Sequence, residues 1–264
     1  MTILQSIILG IVQGITEFLP ISSSGHLILI PKVFNWQDQG LIFDAIVHLA
    51  TALAIIYVLR KEIKEILFGL FKAENKIWIY ILIGIIPAGI AGLFLDNIIE
   101  NKFRSVELVA FNLIFWGFVL WLAEKYSDNI QQKISNIKNI KIKQTLIIGF
   151  AQILALFPGT SRSGITITAG LFSKLNKKSA VNFSFLLSLP LILAAGGLKI
   201  SEAVNNGALQ TNLLPLIFGF LASLISGIFA IKFLLYLVKT KGFKIFVIYR
   251  ILLGIILLLF LIYN

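Results

Sequence analysis

Nine consecutive residues, Pro158-Gly159-Thr160-Ser161-Arg162-Ser163-Gly164-Ile165-Thr166, form a polar island in a very apolar chain. Their types suit the capture of an anion. A proline ends a preceding helix because the residue before it resists the α conformation. Gly159 and Gly164 permit close backbone approach. A serine or threonine then caps a following helix, whose N-terminal N–H groups and positive dipole end point at the break. Arg162 adds a planar fork of donors suited to phosphate. A second polar set lies near the N-terminus: Gln13, Glu17, Ser22, Ser23, Ser24 and His26. Gln13 and Glu17 are four apart, so they share a helix face. Glu17 can serve as a general base or as a ligand to a divalent metal. Ser23 is a nucleophile if a base takes its proton, and His26 is an acid, a base or itself a nucleophile. Arg162 and its helix N-terminus can hold phosphoryl oxygens and the charge that develops on them.

The elements that must position these residues are helices in a membrane. An arginine between membrane-grade flanks requires an anionic partner or a wet cavity. Spans are expected at about 41–59, 77–95, 107–123, 181–198, 213–238 and 245–263, each near the length needed to cross. The runs 145–157 and 163–172 are too short and read as a re-entrant hairpin, whose broken backbone must be covered by protein or line a cavity. The first pair, 3–19 and 22–34, could span; re-entrant is preferred by analogy. The expected fold is therefore all-α and polytopic, with about six transmembrane helices and two broken re-entrant pairs in one integral membrane domain, 1–264.

The two pairs read as copies of one unit. An offset of 139 matches Gln5 with Gln144, Gly10 with Gly149, Gln13 with Gln152, Phe18 with Phe157, Ser22 with Ser161, Ser24 with Ser163 and Gly25 with Gly164. The proline slips by one, Pro20 against Pro158. Repeat 1 covers about 1–123 and repeat 2 about 144–264. Three spans separate the pairs, so the second enters from the opposite face, an inverted-topology repeat whose breaks can meet near the midplane. Threading the loops through this topology puts 16 lysines and arginines on one side, in the loops 60–76, 124–144, 173–180 and 239–244. Lys32, Lys102, Arg104 and Lys199 lie on the other. Basic loops stay cytoplasmic, so both termini are expected outside.

Composition agrees. Of 264 residues, 58% are hydrophobic, and the mean hydropathy is +0.94. Without cysteines, thiolate and disulfide chemistry are excluded. The net charge of +11 is explained by membrane orientation, so no nucleic-acid partner is expected. No basic n-region follows Met1, so no cleavable signal is expected. Asp44 and His48, four apart, either support the site or make a plain polar helix contact. Lys232 is expected to snorkel to the inner surface.

These residues resemble the undecaprenyl-diphosphate phosphatase family, the bacitracin-resistance type of integral membrane phosphatase. Its (E/Q)xxxE element matches Gln13 to Glu17 and runs on to His26, and its PGxSRSxxT element matches Pro158 to Thr166. The resemblance spans both halves. It implies hydrolysis of undecaprenyl diphosphate, a C55 lipid, to the monophosphate carrier used in peptidoglycan synthesis. It also implies a divalent cation (Mg²⁺ or Ca²⁺) and residence in the bacterial cytoplasmic (inner) membrane, with a site open to the outer face. Catalysis then falls to Glu17, Ser23, His26 and Arg162. Substrate binding falls to Gln13, Ser22, Gly159, Ser161, Ser163 and Thr166, with Glu17 also the candidate metal ligand. Some members carry glutamate where this chain has Gln13, which leaves one carboxylate in the motif. The motif leaves serine and histidine both open as nucleophile, and a homodimer open as the assembly. A lipid transporter or flippase is the alternative, because broken inverted repeats are transporter architecture; a channel-like anion site is a third reading.

Overall fold

The computed structural model describes residues 1–69, 76–205 and 213–263. They form eleven α-helices: α1 (Ile3–Phe18), α2 (Ser23–Val33), α3 (Leu41–Val58), α4 (Arg60–Gly69), α5 (Ile77–Lys102), α6 (Val106–Asp128), α7 (Ile142–Ile153), α8 (Arg162–Phe172), α9 (Lys177–Asn205), α10 (Leu213–Thr240) and α11 (Lys244–Tyr263). Among the described residues the β-structure is one isolated bridge, Ile134 to Leu175, which ties the 129–141 loop to the end of α8. Six helices, α3, α5, α6, α9, α10 and α11, are long and apolar enough to cross a membrane. Their outward faces carry large apolar side chains such as Leu93, Phe229 and Ile262, which water would penalise and lipid would not. The chain is an all-α polytopic membrane protein.

The short helices explain one pair of matched glutamines, Gln5 and Gln144. Gln5 lies in the first turn of α1, where its side chain accepts from the Thr2 N–H at 2.8 Å. Gln144 does the same for Lys141 at 3.2 Å in α7. Both satisfy amides that a helix start leaves without partners. α7 starts three residues before the expected 145. It yields at Leu154–Leu156 to a 3₁₀ turn, so the helix proper stops short of Pro158. The basic loop after α3 contains α4, a helix that the apolar periodicity did not indicate.

Each first half-helix lies along a long span. α1 packs on α10 and α7 on α5, through glycines that let backbones touch. A Cβ at Gly10 would sit 2.4 Å from the Gly219 carbonyl oxygen, and one at Gly149 would sit 2.5 Å from that of Gly84. Without a hydrophobic drive between helices in lipid, such close approach supplies much of the association. Phe18, at the end of α1, meets Phe185 of α9 edge to face at 5.2 Å within the main core. The two breaks are thereby carried into the interior.

Candidate active site between two broken helices

The breaks share one backbone device. Leu19 and Phe157, each before a proline, are extended. Ser22 and Ser161 then take the left-handed conformation, with φ of 74° and 73°. Each caps the next helix through its hydroxyl: Ser22 Oγ accepts from the Gly25 N–H at 3.4 Å, and Ser161 Oγ from the Gly164 N–H at 3.1 Å. The second turn has one more residue between proline and cap, which is the slip seen in the sequence. Gly159 absorbs it at φ 89°, with its α-carbon face against α6; a Cβ there would lie 2.6 Å from the Val109 carbonyl oxygen.

Glu17, 5% exposed, is the hub. Its Oε1 accepts from Arg162 Nη2 at 2.6 Å. Its Oε2 accepts from Ser23 Oγ at 2.5 Å and from Gln13 Nε2 at 3.0 Å. His48 Nε2 on α3 lies 3.6 Å from the same oxygen, with its Nδ1 donating to the Asp44 carbonyl at 2.6 Å. A carboxylate this deep needs paired charge and several donors, and it has both. His48 therefore joins the site. Asp44 turns its carboxylate to Gln39 Nε2 at 2.9 Å, and its backbone carbonyl accepts from His48. Two atoms on the residues that bond Glu17, Arg162 Nη1 and Gln13 Oε1, are buried without a hydrogen-bond partner, as is Thr160 Oγ1.

The sequence reading missed the residue that locks the two breaks together. Arg250 of α11 is fully buried. Nη1 donates to the Pro20 carbonyl at 3.2 Å, and Nη2 donates to those of Gly159 and Thr160 at 3.0 and 2.9 Å. Nε and Nη2 also bond Leu113 and Asn112 carbonyls of α6, each at 3.2 Å. Broken helices leave carbonyls unpaired, and one guanidinium collects them from both breaks. The available signal was an arginine inside the last apolar span, since an ionisable group there demands partners. Asn112 adds a bond to the Pro158 carbonyl at 2.8 Å, and Ser163 Oγ one to the Leu19 carbonyl at 3.2 Å.

Other expected site residues face elsewhere. Ser22 and Ser161 are caps. Thr166 Oγ1 back-bonds the Arg162 carbonyl at 2.8 Å and meets Ser184 Oγ of α9 at 2.6 Å. His26 shares α2 with Ser23, yet its ring bonds the Ser22 carbonyl and the Tyr249 hydroxyl of α11, not Glu17.

Among the described residues, no three His, Cys, Asp or Glu side chains converge on a metal position. What stands at the hub is one carboxylate and the free amide oxygen of Gln13. That set fits a hard cation such as Mg²⁺, which takes one or two protein oxygens and draws the rest from substrate phosphates and water. It does not fit a cation held by protein alone.

Fold and site together define a polytopic membrane protein with a carboxylate, a hydroxyl and an arginine gathered between two buried helix breaks. Comparison with known proteins narrows the class. The family described as "Bacitracin resistance protein BacA" matches residues 6–256, and the chain belongs to it. The chain is 42% identical to undecaprenyl-diphosphatase 1 of Pseudoalteromonas translucida, over 99% of both chains. It is 43% identical to the undecaprenyl-diphosphatases of Hahella chejuensis and Saccharophagus degradans, over 96% of each.

Proposed function

We propose that the chain is an undecaprenyl-diphosphatase, hydrolysing the polyprenyl diphosphate to the monophosphate carrier and inorganic phosphate for cell-wall precursor recycling. One observation carries the assignment of roles: Ser23 donates to one oxygen of Glu17 while Arg162 holds the other. In this reading Arg162 Nη1 and the N–H groups opening α8 hold the terminal phosphoryl oxygens. Ser23 Oγ attacks the terminal phosphorus as Glu17 takes its proton. The new O–P bond forms as the bond to the bridging oxygen breaks, and the lipid monophosphate departs. Water then attacks the phosphoserine, giving back the serine and releasing phosphate. A divalent cation bound by Glu17 and Gln13 Oε1 would neutralise phosphate charge. His48 steadies the Glu17 carboxylate.

The same reading includes an inverted repeat of residues 1–123 and 144–264 in the bacterial inner membrane, with both termini outside and the site open outward. The matching left-handed caps at Ser22 and Ser161 support the repeat, and the basic loops support the orientation. A homodimer is compatible with it. The transporter reading is not favoured, because the relatives matched along the whole chain are named as diphosphatases. Phosphate release from a polyprenyl diphosphate by the purified protein in detergent tests the proposal, since detergent abolishes transport but not hydrolysis. No release at any divalent-cation concentration would overturn it.

A further inference from the structure

His26 is 9% exposed, and both of its ring nitrogens are engaged. Nδ1 lies 2.7 Å from the Ser22 carbonyl oxygen, and Nε2 lies 2.6 Å from the Tyr249 hydroxyl. The imidazole stacks nearly parallel to the tyrosine ring, at 11° with centroids 5.8 Å apart. A carbonyl only accepts, so Nδ1 carries the proton, and the neutral ring accepts from Tyr249 O–H at Nε2. The second break shows what this arrangement replaces. There the Ser161 carbonyl is held by the Ile165 backbone N–H at 2.9 Å. The equivalent bond in the first break, from the His26 N–H to the Ser22 carbonyl, is stretched to 3.3 Å. The shorter bond from Nδ1 makes up the difference at a serine held in the left-handed region, where non-glycine residues need outside support.

We infer that His26 is a positioning residue for the nucleophile, not the nucleophile or a proton donor: stacked on Tyr249 and fixed by its hydroxyl, it holds the Ser22 carbonyl and so keeps the turn that aims Ser23 at Glu17. The inference rests on the phosphatase reading for its kinetic consequence and on ring geometry for the rest.

Asparagine and glutamine at position 26 separate the two nitrogens. Asparagine offers an N–H near the place of Nδ1; glutamine reaches the place of Nε2. Purified His26→Ala, His26→Asn, His26→Gln and Tyr249→Phe are compared for kcat, KM and melting temperature. Loss of one buried bond predicts a fall in kcat of roughly ten- to a hundredfold for His26→Ala, with KM little changed. His26→Asn restores most of that loss and His26→Gln does not. Tyr249→Phe lowers kcat several-fold alone, and adds little in the His26→Asn background, as expected of two residues acting through one bond. If His26→Ala fails to fold, the order of Asn and Gln still decides. Asparagine as inactive as alanine, glutamine the better substitute, or all variants near wild type would each overturn the inference. A second readout is independent of turnover. The chain has two histidines, so ¹⁵N-histidine spectra of the protein and of His26→Asn identify the His26 nitrogens. A proton on Nδ1, with Nε2 perturbed by Tyr249→Phe, is expected; a proton on Nε2 alone would overturn it. Wild-type protein that releases no phosphate but shows this spectrum sinks the phosphatase reading and leaves the brace standing.

Discussion

Ser23 and Arg162 occupy equivalent places, each the first helical residue after a left-handed serine cap, and both end on Glu17: Ser23 Oγ at 2.5 Å from Oε2 and Arg162 Nη2 at 2.6 Å from Oε1. The first turn thus presents a hydroxyl and the second a guanidinium. The carboxylate between them comes from α1; the same offset puts Leu156 at the corresponding place in the second half. Two turns of like backbone geometry thus serve one asymmetric site.

Arg162→Lys is expected to lose on the order of a hundredfold or more in kcat, although the charge is kept. A lysine is a point charge that cannot both hold Glu17 Oε1 and supply the second donor nitrogen that Nη1 provides, and removal of one such donor costs that much at oxyanion sites. Phosphate release in detergent measures it. Turnover within a few-fold of wild type would remove Arg162 from the phosphate clamp.

Arg250 supports a stability prediction. Its five acceptors are all backbone carbonyls, drawn from α6 and both breaks. Arg250→Met should destabilise by several kcal/mol, since each carbonyl left buried without a donor costs roughly 1–3 kcal/mol. The expected sign is a lower melting temperature in detergent, with activity falling in parallel as the breaks separate. An unchanged melting temperature would show that the breaks hold each other without the clamp.

The glycine seams make a sharper contrast. Gly10→Val places a side chain against the Gly219 carbonyl, while Gly89 on α5 has nothing within 4 Å of a Cβ. Overpacking of about 1–3 kcal/mol is expected at Gly10 and at Gly149. Gly89→Ala should be neutral or slightly stabilising. Thermal melts of the three variants check the order.

Much of this was legible in the sequence, and the exceptions share a cause. The spans, both breaks and the meeting of Glu17 with Arg162 follow from apolar length, proline and glycine positions, and the demand that buried charges pair. Arg250 was not legible because backbone carbonyls leave no complementary residue type in the sequence. A spacing of three lets His26 share a helix face with Ser23, while its ring bonds Tyr249, 223 positions away. Thr166 sits in the motif, yet its hydroxyl is taken by its own helix and by Ser184. Spacing says which residues can share a face; it does not say which of several partners wins.

Orientation is tested by two reporters. One fused after Asn264 is expected outside the cytoplasm, and one inserted near Asn136 inside it, because 16 basic loop residues fall on the side of Asn136 and four on the other. Both reporters on one side would make the number of crossings between them even, and the inverted repeat would fail with it.

The division of labour at Glu17 gives the most direct test of chemistry. A serine hydroxyl is a poor nucleophile until a base takes its proton, and Ser23 already donates to Glu17. Glu17→Gln keeps the shape of the hub but cannot take that proton, and it loses the charge that pairs with Arg162. Ser23→Ala keeps the charge and removes the attacking oxygen. Each substitution is expected to abolish turnover. Ser23→Ala should bind a non-hydrolysable diphosphate analogue about as well as wild type, because the phosphate clamp belongs to Arg162 and α8. Without divalent cation, Glu17→Gln should bind it as well or better, because one negative charge has left the pocket. Ser24→Ala, whose hydroxyl lies 3.4 Å from that of Ser22 and is not bonded to the hub, should cost little. Turnover and analogue binding, measured on the same preparations, separate these cases. Near-normal hydrolysis by Ser23→Ala would eliminate the serine and pass the attack to water activated at Glu17.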